Sequence, residues 1–280
     1  MHRIHKKFLR TAAAVLCCVF LCSVFCPNVM ALSYSTNSNY NGTVFHQRLV
    51  AVELTGDPRV DIVNVALSQY GYCESNSSKD LSGMNPGLDN YTEYGKWYGV
   101  QSLWCAMFAS WCAAQAGISQ DVIPSHAFTP TGVMWFMDRG QSYTRTQVEQ
   151  GVYTPRAGDL VYFKSATNNN IVNHVAIVIG YYDGYVYTVE GNVNFDPTCT
   201  DGGQVLMRCR HISDTIFRYF CVPTYDSDTE HAVSTFFPAE NEPSISEEVL
   251  LPENTGTTPT ISQSAGAEGF SEKPQYSFIP

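Results

Sequence analysis

The stretch that decides the fold is YGKWYGVQSLWCAMFASWCAAQAG, residues 94–117. Between residues 104 and 116 the polar side chains are Ser110 and Gln115, and Gly117 follows directly. A helix that is apolar nearly all round is a buried helix. A glycine just past the last apolar residue is typical of a helix C-terminus. We therefore expect a central, buried helix over residues 104–116.

Cys105 lies in the first turn of this helix, with Ser102 near the N-cap. The unpaired backbone N–H groups and the positive dipole end of a helix N-terminus favour a thiolate over a thiol. Cys112 comes seven residues later on a similar face and is expected to be a core residue. Cys105 is therefore a candidate nucleophile.

Helical patterns come first along the chain and strand patterns come later. Asp57 followed by Pro58 predicts the start of a helix, and a second short helix is expected at residues 131–139. A weak strand-like pattern at residues 43–54 precedes them, and residues 73–90 are expected to form a long loop. Strands are expected at residues 158–163, 173–192, 205–210 and 215–222. This order predicts an α+β fold, with N-terminal helices packed on a C-terminal antiparallel sheet.

Residues 173–192 predict a hairpin that closes at Asp183-Gly184. With a two-residue loop, His174 would face Val193, and Glu190 would lie on the opposite face of the sheet. With a three-residue loop, His174 would face Asn192, and Glu190 would be its diagonal neighbour on the same face. If His174 is catalytic we expect the second pairing, and the first pairing without a bulge would contradict that role.

The 280 residues divide into four segments. Residues 1–31 have a basic start, an apolar run and small residues at the end, the layout of a cleaved secretory signal. Residues 226–280 carry ten acidic residues against one base, and are expected to form a disordered acidic tail. Residues 32–56 are an N-terminal extension or an edge strand, and residues 57–225 form one domain.

Charge and composition exclude several classes of protein. The formal net charge is −10, which argues against a nucleic-acid partner because such proteins carry a basic patch. The apolar run of the leader is broken by Pro27-Asn28 before it reaches the length of a spanning helix. We expect no stable membrane span after signal cleavage and a location outside the cell, in solution or associated with the cell wall.

Four blocks in order carry a family resemblance: YGKWYG…LWCAMFASWCAAQAG, PRAGDLVYF, NHVAIVIGY and VEGN. Together they resemble the CHAP family of amidases and endopeptidases, which belongs to the NlpC-type, papain-like cysteine peptidases. The resemblance covers roughly residues 57–225 and implies a papain-like fold. It departs at Leu103, where many relatives have proline.

The resemblance implies a role for each residue that matches the family's site. The nucleophile falls on Cys105, the base on His174 and the orienting acid on Glu190, while Asn192 matches a polar residue that often completes the site. The implied substrate is peptidoglycan, cleaved either between N-acetylmuramic acid and L-alanine or within its peptides.

The aromatic residues around Cys105 are candidates for binding this substrate. Trp97, Tyr98 and Trp104 either line a substrate cleft or fill the core, and burial in the core is favoured for Trp104. The backbone N–H of Cys105 is the expected first oxyanion donor. Gln101 and Tyr98 remain alternatives for the second donor.

No cofactor or metal is expected. Some relatives bind calcium just upstream of the cysteine, but here residues 91–103 contain a single acidic residue, Glu93. His126 and His211 have no motif partner and are expected to be surface or packing residues. Outside the cell, up to two disulfides are plausible among Cys73, Cys199, Cys209 and Cys221.

Three functions from different classes fit the sequence. The first is a secreted peptidoglycan amidase or endopeptidase, expected to be a monomer. The second is a papain-like protease that acts on proteins. The third is a non-catalytic surface-binding protein that uses the acidic tail.

Overall fold

The computed structural model describes residues 35–165, 171–194 and 203–225, all of which lie in one compact unit. Within these ranges the helices are α1 Val44–Val50, α2 Pro58–Ser68, α3 Glu93–Tyr98, α4 Cys105–Gln115, α5 Thr129–Met137 and α6 Arg145–Glu149. The strands are β1 Ser142–Thr144, β2 Leu160–Lys164, β3 Val172–Tyr182, β4 Tyr185–Val193, β5 Gln204–His211 and β6 Phe217–Cys221. The expected leader (1–31) and acidic tail (226–280) lie outside the described residues.

The strands form one sheet in the order β1-β6-β2-β3-β4-β5. Every neighbouring pair is antiparallel. All six helices precede β2, the first strand of the central part of the sheet, so the predicted α+β class is confirmed. In the described ranges, none of the helices has the length and apolarity needed to cross a membrane.

Helix α4 is the buried centre of the fold, as the sequence predicts. All of its side chains are buried except that of Ala114, and it packs against α2, α3, β3 and β4. Its close approach to β4 requires a glycine at position 191, because a Cβ there would lie 2.7 Å from Cβ of Phe108. Residue 191 therefore fixes how near the helix comes to the sheet.

The strand expected within residues 43–54 is wrong, because this segment forms helix α1. The Thr43 side chain caps the helix by accepting a hydrogen bond from the His46 N–H. Phe45 and Leu49, four residues apart, bury the same face in the core. An i,i+4 apolar pair behind a threonine cap is a helical signal that outweighs the β-branched composition of the segment.

The hairpin of β3 and β4 closes with two residues, so the expected three-residue loop is wrong. Asp183 and Gly184 both have positive φ, 48° and 78°, as a two-residue type I′ turn requires. Tyr182 pairs with Tyr185 beside this turn.

A β-bulge between Val178 and Gly180 then shifts the register by one residue. Ile177 pairs with Val189 as a result, whereas an unbroken ladder would place it opposite Glu190. The shifted register places Glu190 on the face of the sheet that carries His174, where their side chains form a hydrogen bond. The bulge thus gives the register that a catalytic His174 was expected to need.

Candidate active site

Cys105 is the first residue of α4 and is 5 % exposed. The first hydrogen bond of the helix runs from the Phe108 N–H to the Trp104 carbonyl, 2.8 Å. No side chain caps this end, so the expected capping contribution from Ser102 is absent. The N–H groups of the first turn have no partner within the helix.

His174 lies near the start of β3 and forms a side-chain hydrogen bond with Cys105. Its Nε2 lies 2.9 Å from Oε2 of Glu190. Because Nε2 contacts the carboxylate, Nδ1 is the ring nitrogen left for the thiol. The three predicted residues Cys105, His174 and Glu190 thus form one continuous hydrogen-bonded chain.

The pKa values of the two ionisable partners move in opposite directions. Burial alone would lower the pKa of His174, but its hydrogen bonds with Cys105 and Glu190 and their charges outweigh burial and raise it to about 10. Burial alone would raise the pKa of Glu190, but His174 and Arg210 lower it to about 2. At neutral pH the pair is therefore an imidazolium beside a carboxylate.

Glu190 is fully buried and has two further partners, Thr188 and Arg210. The Thr188 hydroxyl donates to Oε1 at 2.6 Å, and the Arg210 guanidinium donates to the same oxygen. Thr188 precedes Glu190 by two residues, so strand periodicity alone would have placed it on the same face. Arg210 comes from β5, and no sequence pattern predicts the register between β4 and β5.

Asn192 adopts a left-handed backbone conformation, φ 60°. Its side-chain Oδ1 is buried and has no hydrogen-bond partner among the described residues. Within the described ranges no side-chain hydrogen bond joins Asn192 to His174. Its catalytic role stays a prediction.

Trp104 lies in the core and has no exposed surface, so its assignment to substrate binding is wrong. Its Nε1–H donates to Oε2 of Glu74 at 2.8 Å, and its ring stacks on Tyr94 with centroids 5.2 Å apart. Trp97 and Tyr98 are half-buried at the end of α3 and pack against the same core. Their contact with substrate stays a prediction.

The two candidates for the second oxyanion donor differ in what they already bind. The Gln101 side-chain amide donates to the Asp89 carbonyl at 2.7 Å, so it is engaged in the loop before α4. Tyr98 is half-buried with Trp97 beside it, ring centroids 6.3 Å apart. The second donor stays unassigned.

The other histidines and the buried acid upstream of Cys105 have structural partners. His126 is buried and its Nε2 lies 3.0 Å from the Tyr162 hydroxyl, a packing role, whereas His211 is exposed. Glu93 is buried and accepts hydrogen bonds from Asn37 and Trp111. Among the described residues, no group of three His, Cys, Asp or Glu is arranged to hold a metal ion.

Up to two disulfides were plausible, and none joins the cysteines that the structure describes. Cys73, Cys209 and Cys221 are free thiols, and Cys199 lies outside the described residues. Cys209 and Cys221 belong to different strands, β5 and β6, at opposite sides of the sheet centre. Cys112 is a buried free thiol, as expected for a core residue.

Comparison with known proteins gives three findings. The family model of the CHAP domain matches residues 96–192, which confirms the family resemblance predicted from the sequence and includes Cys105, His174, Glu190 and Asn192. No curated protein sequence matches.

A solved structure titled "The crystal structure of Ly7917" is similar at 14 % sequence identity, with a TM-score of 0.31. The match covers 59 % of this chain and 62 % of that chain, less than two-thirds of the latter. At that TM-score the likeness supports no statement about fold or function.

Proposed function

We propose that this chain, whose residues 96–192 match the CHAP domain, is a secreted cell-wall hydrolase that cleaves an amide bond of peptidoglycan. CHAP domains are in general cysteine- and histidine-dependent amidohydrolases or peptidases. The observation that carries the proposal is the hydrogen-bonded chain from Cys105 through His174 to the buried Glu190.

In the proposed mechanism the Cys105 thiolate attacks the carbonyl carbon of the amide. The carbonyl π electrons move to oxygen and give a tetrahedral oxyanion. The oxyanion collapses, the C–N bond breaks and the His174 imidazolium gives its proton to the leaving amine. The product is a thioester on Cys105 and a neutral His174.

Hydrolysis of the thioester reverses the proton transfers. His174 accepts a proton from water as the oxygen attacks the thioester carbonyl, and the C–S bond then breaks to release the acid and restore the thiolate. Glu190 holds Nε2 of His174, which keeps Nδ1 directed to the sulfur throughout. The Cys105 backbone N–H, at the start of α4, is the proposed oxyanion donor.

The finer assignments are part of the same proposal. Export through residues 1–31, a papain-like arrangement of the helices on the sheet and a monomeric enzyme all remain proposals. The muramoyl–alanine amide and the peptide bonds of the stem or cross-bridge are attacked by the same chemistry, so the site residues support both.

The decisive experiment is digestion of purified sacculi by the wild-type protein, Cys105→Ala and Cys209→Ser, with mass spectrometry of the released fragments. Cys209 is an exposed free thiol on β5, so Cys209→Ser is the matched control and should digest like the wild type. New N-terminal alanine would indicate an amidase, and new termini inside the peptides an endopeptidase.

Two results would overturn the proposal. Undigested sacculi together with cleavage of casein would favour a protease that acts on proteins. Equal release by wild type and Cys105→Ala would exclude the proposed nucleophile.

A further inference from the structure

The buried carboxylate of Glu190 is held from a strand beyond the family match. Arg210 lies on β5, and its guanidinium reaches both carboxylate oxygens: Nη1 donates to Oε1, and Nη2 lies 3.4 Å from Oε2. Oε2 is also the oxygen that contacts Nε2 of His174. A planar guanidinium that spans both oxygens fixes the plane of the carboxylate, and not only its position.

The aromatic ring of Phe163 contacts both Arg210 and His174. The guanidinium carbon of Arg210 lies 5.0 Å from the ring centroid of Phe163. The same ring lies beside the imidazole of His174, with centroids 5.4 Å apart. Phe163 is 1 % exposed and is held in the sheet by β2. His174, Glu190, Arg210 and Phe163 therefore form a closed ring of contacts.

We propose that Arg210 is a positioning residue of the active site, which holds Glu190 ionised and oriented toward His174. This inference rests on the proposed function for its catalytic consequence. It implies that the active site is not contained in residues 96–192 but is completed by β5.

The charges around Glu190 show why the guanidinium is needed. The charged or titratable groups that face it are His174 from β3 and Arg210 and Arg208 from β5. The hydrogen bond that the Arg208 guanidinium donates goes to the Asn194 carbonyl rather than to Glu190. Without Arg210, Glu190 would share a fully buried site with one hydroxyl and the imidazole, where burial favours the protonated carboxyl.

The test uses Arg210→Met, which keeps an unbranched apolar stem but removes the charge and the donors, and Arg210→Lys, which keeps the charge. Arg218→Met is the matched control, because Arg218 is an exposed arginine on strand β6 of the same sheet, away from β5. We expect kcat/KM on sacculi to fall about 10- to 100-fold in Arg210→Met, the range found for partners that orient functional histidines. Arg210→Lys should recover part of this loss, and Arg218→Met should match the wild type.

The acid limb of the pH profile separates positioning from a merely structural role. Loss of Arg210 raises the pKa of Glu190, so the carboxylate is protonated at a higher pH and the acid limb moves to higher pH. A simple loss of folded protein would lower activity at every pH and leave the limb in place.

A second readout does not depend on the substrate. The pH dependence of Cys105 alkylation by iodoacetamide, followed at the Cys105 peptide by mass spectrometry, reports the thiolate–imidazolium pair directly. If wild type alkylates through such a pair but leaves sacculi intact, the proposed function fails while the role of Arg210 is still tested. An acid limb at the same pH in Arg210→Met and wild type would overturn the inference. If Arg210→Met does not fold, the same result in Arg210→Gln, which is also neutral, would overturn it.

Discussion

Replacing Glu190 with glutamine tests the site most directly, because it removes the charge of the carboxylate while nearly keeping its shape. All three partners of this side chain, His174, Thr188 and Arg210, donate hydrogen bonds to it. A glutamine NH2 group must therefore face a donor, whichever way the amide is turned. The variant loses both an ion pair and a hydrogen bond in a buried site.

The magnitude follows from the pKa of His174. Its rise from 6.5 to about 10 corresponds to about 5 kcal/mol that favours the imidazolium, at about 1.36 kcal/mol for each tenfold change. Because burial opposes this rise, the favourable contributions of Cys105 and Glu190 together exceed it, and an equal share for Glu190 is at least about 2–3 kcal/mol. We therefore expect kcat/KM to fall about 70-fold and the alkaline limb to move from about pH 10 to about pH 8.

The assay is the release of peptidoglycan fragments from sacculi as a function of pH, for wild type, Glu190→Gln and the control Glu149→Gln. Glu149 is a surface acid paired with Arg145, so its replacement should leave the alkaline limb unchanged. The reasoning is refuted if Glu190→Gln keeps an alkaline limb near that of the wild type and loses less than about threefold in kcat/KM, a change of under 1 kcal/mol.

Three further predictions concern stability. Gly191→Ala should lower the free energy of unfolding by about 1–3 kcal/mol through overpacking against α4, as measured by urea titration. Gly203→Ala is the control, because a Cβ at that position would meet no atom closer than 3.7 Å. It should show no overpacking loss. Asp159→Asn should cost about 3–5 kcal/mol, because it removes the carboxylate charge that lies 2.8 Å from the buried Arg59 guanidinium. An unchanged urea midpoint would contradict this. Burial raises the pKa of Glu93 from 4.5 to about 7, so the free energy of unfolding falls as pH rises through that window. Glu93→Gln should remove this loss of about 3 kcal/mol. Parallel stability–pH curves for variant and wild type would refute the assignment.

The parts of the fold that the sequence predicts are those with local signals. Helix α4 is identified by an apolar run that ends in glycine, and Cys105 by its place in the first turn. The hydrogen bond between His174 and Glu190 was expected, but only under one of two pairings of the hairpin. The structure reaches that pairing through a bulge, which depends on packing of the whole sheet and leaves no clear mark in the local sequence.

The parts that the sequence does not predict depend on contacts between distant segments. Arg210 meets Glu190 because of the register between β4 and β5, and that register is set by the fold rather than by a turn motif. Trp104 stands next to the nucleophile in sequence, yet its indole turns inward to Glu74, thirty residues away. Neighbours in sequence at a helix start diverge in space, so adjacency to Cys105 was a poor guide to substrate contact.

The bulge on β3 also limits how this hairpin can change in length. Side chains alternate between the faces of a strand, so deletion of the extra residue, Ile179, would restore the unbroken ladder and turn Glu190 away from His174. A single residue inserted between His174 and Glu190 at another position would also turn Glu190 away from His174, unless a second bulge offset it. Natural variation in this hairpin should therefore consist of insertions and deletions of even length, or of compensated pairs, while the turn itself remains free to vary in sequence.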